Sequence, residues 1–368
     1  MRDRVRADTK AAGGWTETVL YSFKDNGKDG TFPQAALIFD TSGNLYGTTS
    51  NGGTGDCKIE GSAGCGTVFE LTPKAGGGWT EKILHNFNNS GKDGIYPYAG
   101  LIADAAGNLY GTTSRGGGSG CSQAGCGTVF ELTLKAGGGW KEKILHNFNQ
   151  NVNDGNNPYA GLIADAAGNL YGTTCAGGHS SSGTVFELTP KAGGGWKEKI
   201  LHYFSGGTDG SCPMATPIFD SAANLYGMTT SGGDLNDCDY AGIGCGTVFE
   251  LTPKAGGGWT DKTLYDLPNF AAGGVILDAV GNLYGTTKYG GSSGNCGIQL
   301  PNGCGTVFEL TPKAGGGWKE KTLHNFNQNG KDGAYPYAGL IFDAAGNLFG
   351  TTYQGGTYYW GTVFEITP

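Results

Sequence analysis

Long apolar runs are missing from this sequence, and so are blocks of basic residues, helical periodicity and closely spaced metal-type cysteines. No stretch approaches the roughly 18 to 20 apolar residues that carry a helix across a bilayer, so no transmembrane segment is expected. Lys and Arg total 24 against 32 Asp and Glu, a net charge of −8. With no basic patch to neutralise phosphates, a nucleic-acid partner is not expected either. Histidine is scarce, at 5 residues. The first ten residues, MRDRVRADTK, are charged and contain no signal-peptide core.

Glycine, by contrast, reaches 72 of 368 residues, against about 7% in average proteins. It recurs at fixed places beside Val, Phe, Tyr and Trp, which points to ordered tight turns instead of disorder. The ten cysteines are also patterned. Eight form close pairs: Cys57/Cys65, Cys121/Cys126, Cys238/Cys245 and Cys296/Cys304. Each second member directly precedes a Gly-Thr-Val-Phe-Glu segment. Cys175 and Cys212 remain and are expected to join each other. An even count with local pairing favours disulfides and an oxidising compartment. Zinc is the competing reading, but no CxxC spacing occurs and no His lies beside a pair. The expected location is therefore secreted or on the cell surface, with the signal segment absent from this chain.

One cassette fills the chain six times. Asn-Leu-Tyr-Gly-Thr-Thr, or a close variant, begins at Asn44, Asn108, Asn169, Asn224, Asn282 and Asn347. Gly-Thr-Val-Phe-Glu begins at Gly66, Gly127, Gly183, Gly246, Gly305 and Gly361. A Trp-initiated segment begins at Trp15, Trp79, Trp140, Trp196, Trp259 and Trp318, at intervals from 56 residues (Trp140 to Trp196) to 64 (Trp15 to Trp79). In the second unit these read as four strands, 99–104, 109–113, 128–133 and 140–148, rich in β-branched and aromatic residues. Asp-Ala-Ala-Gly-Asn and Lys-Ala-Gly-Gly-Gly supply the tight turns between them.

Four antiparallel strands repeated six times predict an all-β, six-bladed β-propeller. The chain opens on a Trp segment and stops on a Val-Phe-Glu segment. Residues 15–23 are thus expected to complete the last blade as its outer strand, closing the ring and removing free sheet edges. A linear solenoid would want distinct capping repeats, and none is visible. The expected domains are an N-terminal arm, 1–14, and one propeller, 15–368.

On the Asn-Leu-Tyr-Gly-Thr-Thr and Gly-Thr-Val-Phe-Glu-Leu-Thr-Pro segments, the units resemble those of the GloVer tandem-repeat family of bacterial exported proteins, from Trp15 to Pro368. The resemblance implies an exported or surface-anchored protein and carries no catalytic residues. A weaker similarity, of architecture only, is to propeller lyases and sugar-binding propellers, and fold alone assigns neither activity.

Variable loops locate function. Those joining second to third strands, and those joining blades, vary and share a face. The blade-joining loops carry a repeated acidic turn with Asp29, Asp93, Asp154, Asp209 and Asp332. Asp-Gly with nearby Asn oxygens offers hard ligands for calcium; the alternative is a turn in which Asp bonds its own backbone. No cofactor is otherwise required. The fifth such loop, 267–274, lacks the motif and is expected to open a groove. Aromatics collect on the same face: Tyr353, Tyr358, Tyr359, Trp360, Tyr289 and Tyr240, with Tyr96 and Tyr335. Flat rings with polar edges suit sugar faces, while packing of the loop bases is the plain alternative.

His85, His146, His202 and His324 occupy one repeated position shared with Tyr21 and Tyr265, which reads as structural. His179, beside Ser180–Ser182, and Asp237, in the longest variable loop, are the candidates for catalysis. The repeated carboxylates, Asp104 and Glu131 with their equivalents, read as turn caps and strand-pairing groups. The favoured function is a binding or scaffold module for glycan, with a protein partner or self-assembly next. A polysaccharide lyase or hydrolase using the same face is the alternative.

Overall fold

The computed structural model describes residues 19–24, 26–57, 64–118, 120–121, 124–234, 238, 244–292, 296, 303–327 and 329–368. Among them every regular element is a strand, and none is a helix long and apolar enough to cross a membrane. The fold is a six-bladed β-propeller of small antiparallel sheets. The second sheet pairs Ile102–Ala103, Leu109–Thr113, Thr128–Leu134 and Trp140–Asn147 in sequence order, and the first, third, fourth and fifth repeat that order. Contacts cluster into two compact units whose described residues fall within 19–203 and 204–368, and each carries three of the blade sheets beside smaller two-stranded ones.

Register explains the repeated residues. In the second sheet Tyr110, Glu131 and Lys143 lie side by side across three strands. The Tyr110 hydroxyl donates to Glu131 Oε1 at 3.1 Å and to Asp104 Oδ2 at 3.0 Å, and Lys143 approaches Glu131 to 3.8 Å. Asp104 also accepts the backbone N–H groups of Ala106 and Asn108 and the Asn108 amide. The carboxylates therefore cap the tight turn and bind the sheet crosswise, as the same trio does at Tyr46 and Tyr171.

The core lies between neighbouring sheets. Phe87, the residue after the first outer strand, meets Phe130 edge-on at 5.2 Å, and Phe148 meets Phe186 at the same distance. Glycine at 111 and 172 makes this possible: a Cβ there would fall 2.6 Å from Phe130 or Phe186 Cζ. Trp140 covers Tyr46, and Trp196 covers Tyr110, at 6.3 and 6.4 Å. Thr48 Oγ1 donates to the Ala99 carbonyl, and Thr112 Oγ1 to that of Ala160, tying inner strands together.

The sixth sheet has three strands among the described residues, Ile341–Phe342, Leu348–Thr352 and Thr362–Ile366. Of the N-terminal segment expected to complete it, residues 15–18 lie outside the described residues. Residues 19–24 carry no strand and pack Leu20, Tyr21 and Phe23 on the core of the first sheet. The expected boundary between arm and propeller, at 14–15, also lies outside the described residues.

The four local cysteine pairs form as expected, Cys57–Cys65, Cys121–Cys126, Cys238–Cys245 and Cys296–Cys304, with Cα separations of 5.1 to 5.5 Å. Cys175 and Cys212 are disulfide-bonded as well, and no cysteine is free. Titration of the unreduced, denatured protein should thus find no thiol; one reactive thiol would break the assignment. Each local bridge closes a short loop and should contribute about 2 kcal/mol by loop entropy.

Candidate binding site

The second strand of each blade ends in a residue at the loop face. That position holds Ser50, Ser114, Cys175 and Thr230 in the first four repeats, then Lys288 and Tyr353 in the last two. Backbone bonds fix both late residues: Lys288 N–H donates to the Phe270 carbonyl at 2.7 Å, and Tyr353 N–H to that of Tyr335 at 2.9 Å. Tyr335 N–H in turn reaches the carbonyl of the disulfide-bonded Cys304 at 2.7 Å. Tyr335 holds a left-handed φ of 57° just before Pro336, as Phe32, Tyr96, Asn157 and Cys212 do in their repeats. A conformation uncommon for a bulky residue is therefore imposed by the loop at each of these junctions.

The result is an array of rings on the fifth and sixth blades. Tyr337 and Tyr353 pack edge-on at 5.5 Å, Tyr289 and Tyr335 at 5.6 Å, and Phe270 and Tyr289 at 6.0 Å. Lys288 Nζ lies 4.7 Å from the Tyr289 ring centre and 4.5 Å from that of Tyr337. Tyr353 is 65% exposed and Tyr337 47%. Tyr335 is held from beneath, its hydroxyl donating to the Cys296 carbonyl at 2.6 Å. Partial burial pulls the Lys288 ammonium's pKa down, but hydrogen bonding to Tyr289 and Tyr337 outweighs it, leaving it above the usual lysine value. Burial pushes the Tyr335 phenol up, with Tyr289 and Tyr337 adding to the effect. At neutral pH the site is one cation framed by neutral rings.

Of the aromatic candidates, Tyr289 and Tyr353 belong to this array. Tyr358, Tyr359 and Trp360 are strongly exposed at the tip of the shortest loop, in the same blade as Tyr353. Tyr240 lies outside the described residues, as does Asp237. Lys288, Tyr337 and Phe270 were missed: Lys288 could have been found as the one charged residue at a repeated position. His179 stands exposed with its ring 4.3 Å from Tyr203, and Ser182 spends its hydroxyl on the Ser180 carbonyl. That geometry aligns no nucleophile with a base.

The acidic turns are built differently from a calcium loop. Asp29 accepts the Tyr21 hydroxyl and the N–H groups of Lys24 and Gly30. Asp93 accepts Asn88 N–H and its amide and faces His85 Nε2 at 3.3 Å. Asp154 and Asp332 repeat that pattern with His146 and His324, and Asp209 accepts Ser205 N–H. Donors of the loop itself thus occupy these carboxylates. The glycine after each is required as well: a Cβ on Gly94 would sit 2.2 Å from Thr113 Oγ1.

Two of these turns receive a second carboxyl that composition did not single out. Glu142 and Glu198, on the next outer strand, complete His85–Asp93–Glu142 and His146–Asp154–Glu198, whose ligand atoms lie within 4.8 Å of one another. These are the donor sets that could hold a divalent metal. Glu142 Oε1 and Glu198 Oε1 are fully buried and meet no N–H or O–H donor. Burial, followed by the charge of Asp93 or Asp154, pushes each carboxyl up to about 9. Each carboxyl is thereby shifted toward its protonated form beside its aspartate. In the fifth loop, where the acidic turn is lacking, a small cavity of about 70 Å³ opens beside Leu267, Asn269 and Glu320.

The sequence pattern described as the Gloeobacter/Verrucomicrobia repeat matches residues 8–241 and 118–300. No curated protein matches the chain. Among solved structures, a putative 6-phosphogluconolactonase from Bacteroides uniformis is similar over 93% of this chain and 87% of its own, at 10% identity and a TM-score of 0.52. A gluconolactonase from Xanthomonas campestris is similar over 94% and 89%, at 12% identity and a TM-score of 0.47. The former is a likeness of fold and carries no reaction to this chain.

Proposed function

Because the chain belongs to the Gloeobacter/Verrucomicrobia repeat family, a grouping by sequence with no chemistry attached, we propose a function from the site itself: an exported binding module that recognises glycan. The observation that carries it is the exposed array of Tyr337 and Tyr353, backed by Tyr289 and Tyr335. Rings set at steep angles to one another, with free edges bearing hydroxyls, offer apolar faces for C–H surfaces of a sugar and donors for its oxygens. Five disulfides' worth of cysteines, all oxidised, support a life outside the reducing cytosol.

The test is a glycan array read with the intact protein, followed by calorimetry on the best binder. Tyr353→Ala and Tyr337→Ala should each weaken binding about tenfold, since stacking contributes on the order of 1 kcal/mol per ring beyond its area. Tyr21→Ala, remote in sequence from the array, should leave affinity unchanged. An array without binders, or binding indifferent to both tyrosines, would reject the proposal.

A further inference from the structure

We infer that the sugar taken by this site is anionic, with its acidic group seated on Lys288. The inference rests on the glycan reading above and adds the charge of the ligand. Lys288 is the only charged side chain at the strand-end position, where the other repeats place Ser50, Ser114, Cys175, Thr230 and Tyr353. Among the described residues no carboxylate lies within ion-pair distance of it, whereas Lys82, Lys143, Lys199 and Lys321 each face a strand glutamate. Its ammonium is half-buried between two ring faces, 4.7 and 4.5 Å from their centres.

Such a cation is partly stripped of water and faces no carboxylate among the described residues, and the rings and hydroxyls of Tyr289 and Tyr337 compensate it only in part. An anionic oxygen supplied by a ligand would complete the shell, with Tyr353 and Tyr337 holding the sugar ring alongside. Charge-assisted hydrogen bonds of this kind are about twice as strong as neutral ones. The chain as a whole carries −8, so its long-range field repels polyanions. Preference for an acidic glycan therefore cannot come from the general surface and needs a local cation. Lys288 provides one where the rings are.

The experiment compares two matched pairs: polygalacturonate with its methyl ester, and dextran sulfate with dextran. The expected result is at least tenfold tighter binding of the anionic member in one pair, with the pair identifying carboxylate or sulfate. Lys288→Met, which keeps the stem between the rings, should abolish that preference, so that the anionic and neutral members of each pair bind alike. Tyr353→Ala should weaken both members together. Equal affinity within both pairs, or a preference that survives Lys288→Met, overturns the charge assignment alone. No binding to any of the four polymers, together with an empty array, overturns the glycan reading and this inference with it.

Discussion

Glu142→Gln and Glu198→Gln should stabilise this protein at pH 8, and the parent should lose stability steadily between pH 5 and pH 8. Both carboxyls sit beside a buried aspartate and are raised to about 9, Glu81 to about 7 by burial and the charge of Asp29. In the unfolded chain each reverts to the ordinary range, near 4.3. Between those values the folded state holds the proton and the unfolded state has released it. Stability then falls as pH rises, by up to about 1.4 kcal/mol per pH unit for each group. The turn-capping aspartates act oppositely. Burial raises Asp104 and Asp165, but hydrogen bonds from Asn108 and Asn169 outweigh it and hold them below the usual value. Their contribution is present above about pH 4 and is lost on further acidification. A maximum near pH 5 follows.

Glutamine imitates the protonated acid, with an N–H to donate to Asp93 or Asp154 and no charge to bury. The gain at pH 8 should be on the order of 1 to 3 kcal/mol per site after allowing for relaxation and water entry. His85, 3.7 Å from Glu142 Oε1, is the remaining titratable neighbour, and His146 sits 3.4 Å from Glu198 Oε1. Thermal or urea unfolding across the pH range is the measurement. Stability rising from pH 5 to 8, or a glutamine variant weaker than the parent at pH 8, would show that these carboxyls are ionised when buried.

The scaffold could be read from sequence because it is repeated, and repetition separates residues that serve every blade from those that serve one. Asp104 and Glu131 recur six times and Tyr110 five, with Phe349 in the sixth unit, and the structure ties the trio into one cross-strand unit. The same comparison read His85 as structural from the alternation of His and Tyr, and Tyr21 and His85 both partner the buried aspartate of an acidic turn. Nothing in the spacing of Asp93 announces Glu142, because the two meet only when one blade's turn lies against the next blade's outer strand. The binding array was half legible for the same reason. Tyr289 and Tyr353 stood out as aromatics at variable positions. Tyr337 and Lys288 acquire meaning only once the chain entering the sixth blade is folded over the fifth blade's strand end.

Repetition also allows one substitution to be made in two environments, and Phe130→Ala against Phe364→Ala should give very unequal costs. The two phenylalanines share a register position, each opposite a strand glycine, Gly111 or Gly350. Phe130 is fully buried, edge-on to Phe87 and enclosed with Leu101, Leu109 and Ile144. Removing its ring leaves a cavity that rigid strands on both sides cannot fill, at about 3 to 5 kcal/mol. Phe364 meets Phe326 at 5.0 Å on one side, but among the described residues no outer strand pairs with its own: Val363 is 53% exposed where Val129 is 0%. Truncation there removes contacts that water already partly replaces, and half the cost or less is expected. Because each sheet is stabilised through its neighbours, the loss at Phe130 should also expose protected amides in both the first and second sheets to hydrogen exchange, whereas that at Phe364 should reach only the fifth and sixth. Equal urea midpoints for the two variants would mean that Phe364 is as enclosed in solution as Phe130.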